Sequence, residues 1–144
     1  MSDRLAELLD EVRLLWHRMV QIGEALHRQE PVTLGMRAVL EFLLLHGPAP
    51  VPHIARSRYV TRQHIQALVN ALLERKLVVV APNPAHKRSR LVTLTREGEH
   101  TIRRMRQQEG RMLERTAKRV NAAELRRAAE TLRRVRRGLG EGKQ

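Results

Sequence analysis

Three observations predict a mainly α chain with one small β-hairpin, an α+β arrangement. Trp16, Tyr59 and Phe42 are the only aromatic residues of their types, so a core has to be built from Leu, Val, Ile, Met and Ala, a set that favours helices. Apolar residues recur at i, i+3, i+4 and i+7 over most of the length. Between residues 77 and 95 that period gives way to two short β-branched runs flanking a turn.

At 144 residues the chain is long enough for one domain or two interlocked subdomains. Lys and Arg number 28 against 15 Asp and Glu, a net charge of +13. Such a surplus points to a polyanionic partner, double-stranded DNA first among them, with a merely solvated basic surface as the bland competitor. Residues 1–30 carry four basic and six acidic side chains, residues 31–100 ten and four, and residues 101–144 fourteen and five. An acidic first helix thus matches basic terminal helices of a second copy, although exposed ion pairs contribute little individually.

Cysteine is absent, which removes disulfides, thiolate metal sites and thiol redox chemistry. The charged, amphipathic start does not read as a signal peptide, and no run of about 18 apolar residues is present to span a membrane. A cytoplasmic location is the expectation. The seven histidines contain no HxxxH pair, so no metal or other cofactor is expected. An enzyme is disfavoured, and no catalytic residue is assigned, because there is no glycine-rich phosphate loop and no paired carboxylate constellation.

The first element is a helix over residues 3–29. Leu5, Leu8, Leu9, Val12, Leu15, Trp16, Met19, Val20 and Ile22 form its stripe, and acids cluster in the first turns where the helix dipole favours them. At 1.5 Å per residue it would extend about 40 Å, longer than a small domain needs for its own core. Its stripe therefore calls for a partner, and a second copy is the first candidate. Leu5, Leu8, Leu9, Val12, Leu15 and Trp16 are the expected dimerisation residues here. Trp16, His17 and Met36 would either line an effector pocket or pack in the core, and core packing is the expectation.

Pro31 breaks this helix, and Thr33 caps the next, which runs to His46 and is apolar nearly all round, from Leu34 to Leu45. Gly47 and Pro48 stop it, and HGPAPVP leads onward as a connection. His53–Arg56 then form a short helical piece, Ser57–Val60 a turn, and residues 61–76 a second helix. Ile65, Leu68, Val69, Leu72 and Leu73 give that helix a face to bury. Thr61 is its N-cap, and Arg62, Gln63, His64, Gln66 and Asn70 lie at its start and on its polar face. Their donors and acceptors suit base edges and phosphates, so the pair reads as a helix-turn-helix with its recognition helix at 61–76.

Leu77–Val80 and Arg90–Thr95 are the strands, with Asn83 and Pro84 turning between them. His86, Lys87, Arg88 and Arg90 occupy the tip of this hairpin. A hairpin after a recognition helix is a wing, and its cations are expected at the phosphate backbone or minor groove. Thr95 caps a helix over 96–118 containing Ile102, Met105, Met112 and Leu113. Asn121 and Glu124 form a capping box for a last helix to Arg137. Leu125, Ala128, Ala129, Leu132 and Val135 point inward there, Leu125 and Leu132 as dimerisation residues. Gly138, Gly140 and Gly142 are expected in a disordered tail. The paired arginines at 103–104, 126–127, 133–134 and 136–137 read as solvated helix faces, or alternatively as further DNA or partner contacts.

This order of elements resembles the MarR family of bacterial transcriptional regulators over essentially the whole chain. The matching positions are Leu40 and Leu43 in the apolar helix, Ile54 and Ala55 in the first helix of the motif, and Ile65 and Leu72 in the recognition helix. Leu77 and Val78 entering the sheet, and Leu94, Thr95 and Gly98 closing the wing, complete them. The resemblance implies a winged helix-turn-helix whose N- and C-terminal helices interlock in a homodimer, binding a palindromic operator as a repressor. It also implies a response to a small aromatic or anionic effector.

Two positions depart from the family. Its wing commonly carries Asp, any residue, Arg, whereas His86, Lys87 and Arg88 stand here, so the acidic brace of the arginine is missing. Its glycine after the recognition helix is replaced by Lys76. The PadR-like regulators fit less well, because a long helix precedes the motif here. The organisation expected is a dimerisation helix at 1–30, a DNA-binding domain at 31–96, and dimerisation helices with a tail at 97–144. The alternative function is a sequence-independent nucleoid or RNA-binding protein.

Overall fold

The computed structural model describes residues 2–140 and divides into two compact units after Gln107. The first unit contains α1 (Ser2–Leu26), α2 (Leu34–His46), α3 (Val51–Arg58), α4 (Arg62–Glu74), β1 (Val78–Ala81), β2 (Leu91–Leu94) and the first half of α5 (Arg96–Ala117). The second holds the remainder of α5 and α6 (Ala122–Gly140).

The core of the first unit is built around α2, whose Met36, Val39, Leu40, Phe42 and Leu43 are all buried. They meet Ile54 and Ala55 of α3, Ile65, Val69 and Leu72 of α4, Val78 and Val92 of the hairpin, and Ile102 and Met105 of α5. Leu40, Ile54, Leu72 and Ile102 are completely buried, and each such side chain stabilises the fold by roughly 1.5–3 kcal/mol over exposure. The Phe42 ring also lies 4.7 Å from the His46 ring and 5.7 Å, edge-on, from that of His53, which ties α2 to α3.

Local chemistry sets the ends of these helices. Thr33 Oγ1 accepts from the Met36 amide at 3.2 Å, and Gly47, at φ +80°, closes α2. Pro50 precedes α3 and Pro52 sits in its first turn, where a missing N–H leaves no helical bond unmade. At the far end Tyr59 takes a left-handed conformation (φ 56°), and its amide bonds back to Ala55 and Arg56. Thr61 Oγ1 accepts from the His64 amide at 3.1 Å and so starts α4.

The exit from α4 is the most constrained joint in the unit. Leu77 N–H donates to Leu72 C=O and Lys76 N–H to Leu73 C=O, both at 3.0 Å, the bond pair of a Schellman ending. Lys76 occupies the left-handed position of that ending at φ 59°, where glycine carries no Cβ penalty. Thr95 then stitches the joint to α5. Its hydroxyl donates to Lys76 C=O at 2.7 Å and accepts from Gly98 N–H at 3.0 Å, while its own amide donates to Leu77 C=O at 3.1 Å. A Cβ on Gly98 would lie 1.9 Å from the Leu77 carbonyl oxygen, so only glycine permits this approach.

β1 and β2 pair antiparallel, with Val78 opposite Leu94 and Ala81 opposite Leu91. Several expected boundaries shift. The strands start and end within one residue of expectation, because their outer rungs face turns. α4 stops at Glu74 and α5 at Ala117, each followed by a turn. α3 is longer than expected at both ends, since Pro50 starts it early and Tyr59 alone makes the reversal. α1 ends at Leu26 instead of residue 29. The residue before Pro31 is biased away from helix, and the chain turns early, with Glu30 N–H donating to His27 C=O at 2.9 Å. HGPAPVP is more than a connection: Ala49 pairs with Val92 through both backbone bonds and forms an isolated antiparallel bridge on the other edge of β2.

In the second unit the capping box forms as expected. Asn121 Oδ1 accepts from Ala123 N–H at 2.8 Å, and Glu124 Oε2 accepts from Asn121 N–H at 3.2 Å. Gly138 and Gly140, expected in a disordered tail, are helical; nothing lies within 4 Å of the Cβ either would carry. Leu139 between them lies on the apolar stripe of α6 and is itself exposed. Gly142 lies outside the described residues. The expected inward residues of α6 are not buried in the single chain: Leu125, Ala128 and Leu132 are exposed, and Ala129 and Val135 half-buried. A lone amphipathic helix has no second surface against which to close.

Candidate nucleic-acid interface

Burial of one face of α4 leaves the other to solvent. Ile65, Val69 and Leu72 are buried, and Leu68 and Leu73 half-buried against the core. Thr61, Arg62, Gln63, His64, Gln66 and Asn70 are all exposed, on the first turn and along the outward face. Gln66 Nε2 donates to Asn70 Oδ1 at 2.9 Å, so these two amides hold each other in one orientation. Among the described residues, the Arg62 side chain makes no ion pair.

The hairpin tip is shaped by backbone turns. Asn83 Oδ1 accepts from Ala85 N–H at 3.0 Å, Asn83 C=O from His86 N–H at 3.2 Å, and His86 C=O from Ser89 N–H at 3.2 Å. These turns project His86, Lys87, Arg88 and Arg90 into solvent. Arg90 reaches back to Val80 C=O at 3.4 Å, a long contact. A cleft of about 370 Å³, lined by Val51, Gln66, Val69, Arg88, Arg90 and Val92 among others, separates the tip from α4.

Two side chains near this surface read in the sequence only as turn residues. Arg58 donates to Ala38 C=O at 3.1 Å and fixes the end of α3 on α2. Tyr59, 77% exposed, stands two residues before the α4 cap. A large aromatic inside a polar turn, SRYV, was the available signal.

Elsewhere in the first unit, Glu30 accepts two bonds from Arg104, both 2.9 Å. That hydrogen-bonded guanidinium holds the Glu30 carboxyl below its usual range despite partial desolvation. Glu41 accepts from Arg37 at 2.9 Å and lies 3.8 Å from Arg106. Beside these pairs runs an open groove of about 700 Å³ lined by Leu44, His100, Arg103, Arg104, Arg106 and Gln107.

The expected dimerisation residues are accessible in the single chain. Leu5, Val12, Leu15 and Trp16 on α1, and Leu125 and Leu132 on α6, are exposed, while Leu8 and Leu9 are half-buried. Core packing of Trp16 is not what the structure shows. In the single chain its side chain is 62% exposed and His17 is exposed, whereas Met36 is buried at 2%. The contact of α1 with α2 forms near its other end, where Gly23 leaves room for Leu34. Among the described residues no helix is long and apolar enough to cross a membrane, and no cluster of potential metal ligands occurs.

Residues 37–89, which hold the helix-turn-helix and most of the hairpin, match the MarR family model. The whole fold superposes on the crystal structure of the MarR family transcription regulator SP03579 with a TM-score of 0.83 and 26% identity, covering 97% of this chain and 93% of that one. The chain belongs to the MarR family. A MarR-type winged helix-turn-helix is thus the fold, and the family is one of transcription regulators. The uncharacterized protein Rv2011c of Mycobacterium tuberculosis is 30% identical over 135 residues, 94% of each chain. BpsR of Bordetella bronchiseptica, whose DNA binding is regulated by 6-hydroxynicotinic acid, shares the fold at a TM-score of 0.76 with 24% identity, covering 94% of each chain.

Proposed function

We propose that this MarR-family chain acts in the cytoplasm as a homodimeric repressor that reads a palindromic operator. The observation that carries the reading is the outward face of α4. Arg62, Gln63, Gln66 and Asn70 project from a helix whose opposite side is locked in the core, the geometry a helix needs to enter a major groove with its side chains on base edges. Thr61 and His64 at the helix start, and His86, Lys87, Arg88 and Arg90 on the wing, supply backbone and minor-groove contacts. Residues 31–96 serve as the DNA-binding domain. Residues 1–30 and 97–140 clasp a second copy through Leu5, Leu8, Leu9, Val12, Leu15 and Trp16 on α1 and Leu125 and Leu132 on α6, placing two reading heads about one helical turn of DNA apart.

A small anionic, preferably aromatic, effector fits the groove where His100, Arg103, Arg104 and Arg106 stand around Leu44. Its effect would arise from unequal affinity for two dimer states. BpsR, which responds to an aromatic acid, supports this part of the reading by analogy. No catalytic role is proposed.

Selection of DNA fragments by the purified protein tests the whole reading. A palindromic consensus is expected, bound by two chains and preferred over random duplex by roughly 10³-fold or more. Arg62→Ala should lose more affinity on that consensus than on random DNA, whereas Arg88→Ala should weaken both alike. Recovery of no consensus would favour the sequence-independent alternative. A monomer at micromolar concentration would end the dimer proposal.

A further inference from the structure

Four arginines of the first unit are ion-paired: Arg103 with Glu99, Arg104 with Glu30, Arg37 with Glu41, and Arg13 with Asp10. α6 carries the densest run of arginines without such a pair. Arg126, Arg127, Arg133, Arg134, Arg136 and Arg137 are all exposed, and none has an ion pair or side-chain hydrogen bond among the described residues. Glu130 stands four residues from Arg126 and from Arg134, within helical reach of both.

Five of these six arginines are regularly placed. At 100° per residue, Arg126, Arg133 and Arg137 fall on one ridge and Arg127 and Arg134 on the next, while Arg136 borders the apolar side near Leu125. Leu125, Leu132, Val135 and Leu139 occupy the opposite side. The row from Arg126 to Arg137 is about 16 Å long, a length over which a DNA duplex presents about ten phosphates. Arginine suits such a surface, since its planar fork binds phosphate oxygens through two donors at once.

We infer that the arginine face of α6 is a second, sequence-independent contact for the phosphates of duplex DNA. This rests on duplex DNA being the ligand of the same chain, as proposed above. Burying the apolar stripe of α6 in the dimer leaves the arginine side free and supplies the face twice. The phosphates have two sources, the flanks of the operator duplex already held or a separate duplex, and both offer the same chemistry.

The test compares the full-length protein with Arg126→Gln/Arg133→Gln/Arg137→Gln, substitutions at exposed positions that retain helix propensity. Circular dichroism and sedimentation establish that fold and oligomeric state are unchanged. Arg126→Lys/Arg133→Lys/Arg137→Lys keeps the charge and controls against a folding defect. Affinity is measured against salt on a short consensus duplex, on the same consensus with flanks, and in a two-duplex capture assay in which an immobilised duplex retains a labelled one.

The Gln variant should keep short-duplex affinity within about twofold. It should lose at least about tenfold on the flanked duplex, or in capture of the second duplex, with a salt slope shallower by about 2 or more. The Lys variant should retain most of the binding. The flanked arm failing alone assigns the face to flanks of the bound operator, and the capture arm failing alone assigns it to a separate duplex. Equal binding by wild type and Gln variant in every arm overturns the inference while leaving the reading head intact. Loss of short-duplex preference in Arg62→Ala with no change in the α6 variant is that same outcome. Loss in the α6 variant with Arg62→Ala unaffected sinks the reading head instead.

Discussion

Gln66 and Asn70 are hydrogen-bonded to each other on the outward face of α4, Nε2 donating to Oδ1 at 2.9 Å. The bond uses one donor of Gln66 and the acceptor of Asn70, leaving the Gln66 carbonyl oxygen and the Asn70 amide group, one acceptor and one donor, on an exposed face. An adenine edge asks for this combination. Asn70→Ala should therefore cost about 1–3 kcal/mol of discrimination at one consensus base pair, with random-duplex affinity nearly unchanged. Fluorescence anisotropy on matched and single-mismatch duplexes measures the difference, and a uniform loss on all of them would show that the pair only stiffens the helix.

Lys76 carries a Cβ at φ 59°, which disfavours the left-handed conformation by about 1–2 kcal/mol. Glycine there removes the penalty but adds roughly 0.4–1 kcal/mol of unfolded-state entropy. Lys76→Gly should thus stabilise the chain by about 0.5–1 kcal/mol net, seen as a higher urea midpoint with an unchanged slope. A lower midpoint would mean that the Lys76 side chain contributes more than its backbone loses.

Gly98→Ala should act in the opposite direction. Its new methyl group would meet the Leu77 carbonyl oxygen at 1.9 Å, and the obstacle is backbone in a Schellman ending that cannot swing aside. We expect destabilisation of about 3 kcal/mol or more, at the upper end of overpacking costs. Thermal and urea unfolding check it, and a loss below about 1 kcal/mol would show that the start of α5 shifts freely.

Glu30 gives a pH signature. The Arg104 hydrogen bond lowers its folded pKa, so the contribution is complete above the unfolded carboxylate value and disappears as the pH falls through the lower folded value. Wild type should lose stability more steeply than Glu30→Gln across and below the ordinary carboxylate range. The difference should be about 1 kcal/mol or less, because the Arg104 side chain is 42% exposed and water screens the pair. Parallel stability curves for the two proteins would contradict it.

The helices and the wing were legible because their signals are local. Thr33, Thr61 and Asn121 cap where their side chains reach amides two or three residues away, and the stripe of α4 predicts which of its residues are buried. What escaped the sequence depends on distant partners. Ala49 gives no strand signal between prolines, yet Val92 recruits it. Glu30 and Arg104 are far apart in sequence, and no periodicity relates them. Trp16 misled for a different reason: its size argues for burial, but the surface that would bury it is not supplied by its own unit. In the interface, the outward residues of α4 and the wing lie where periodicity put them, whereas the Gln66–Asn70 bond and the grip of Val80 on Arg90 are matters of rotamer that spacing leaves open.

The hydroxyl of Thr95 has one proton and gives it to the carbonyl that ends α4, while its lone pair holds the first turn of α5. With Gly98 seated against Leu77, this joint lacks the slack of a hinge. As a spanner meets a bolt, a turn of α5 about its axis would bear first on the backbone that follows α4. Its handle extends to Gln107, about 13 Å from Gly98, along the wall of the cationic groove. A molecule gripping that wall would act with leverage, turning a displacement too small to disturb the core into a change in where Arg62 points.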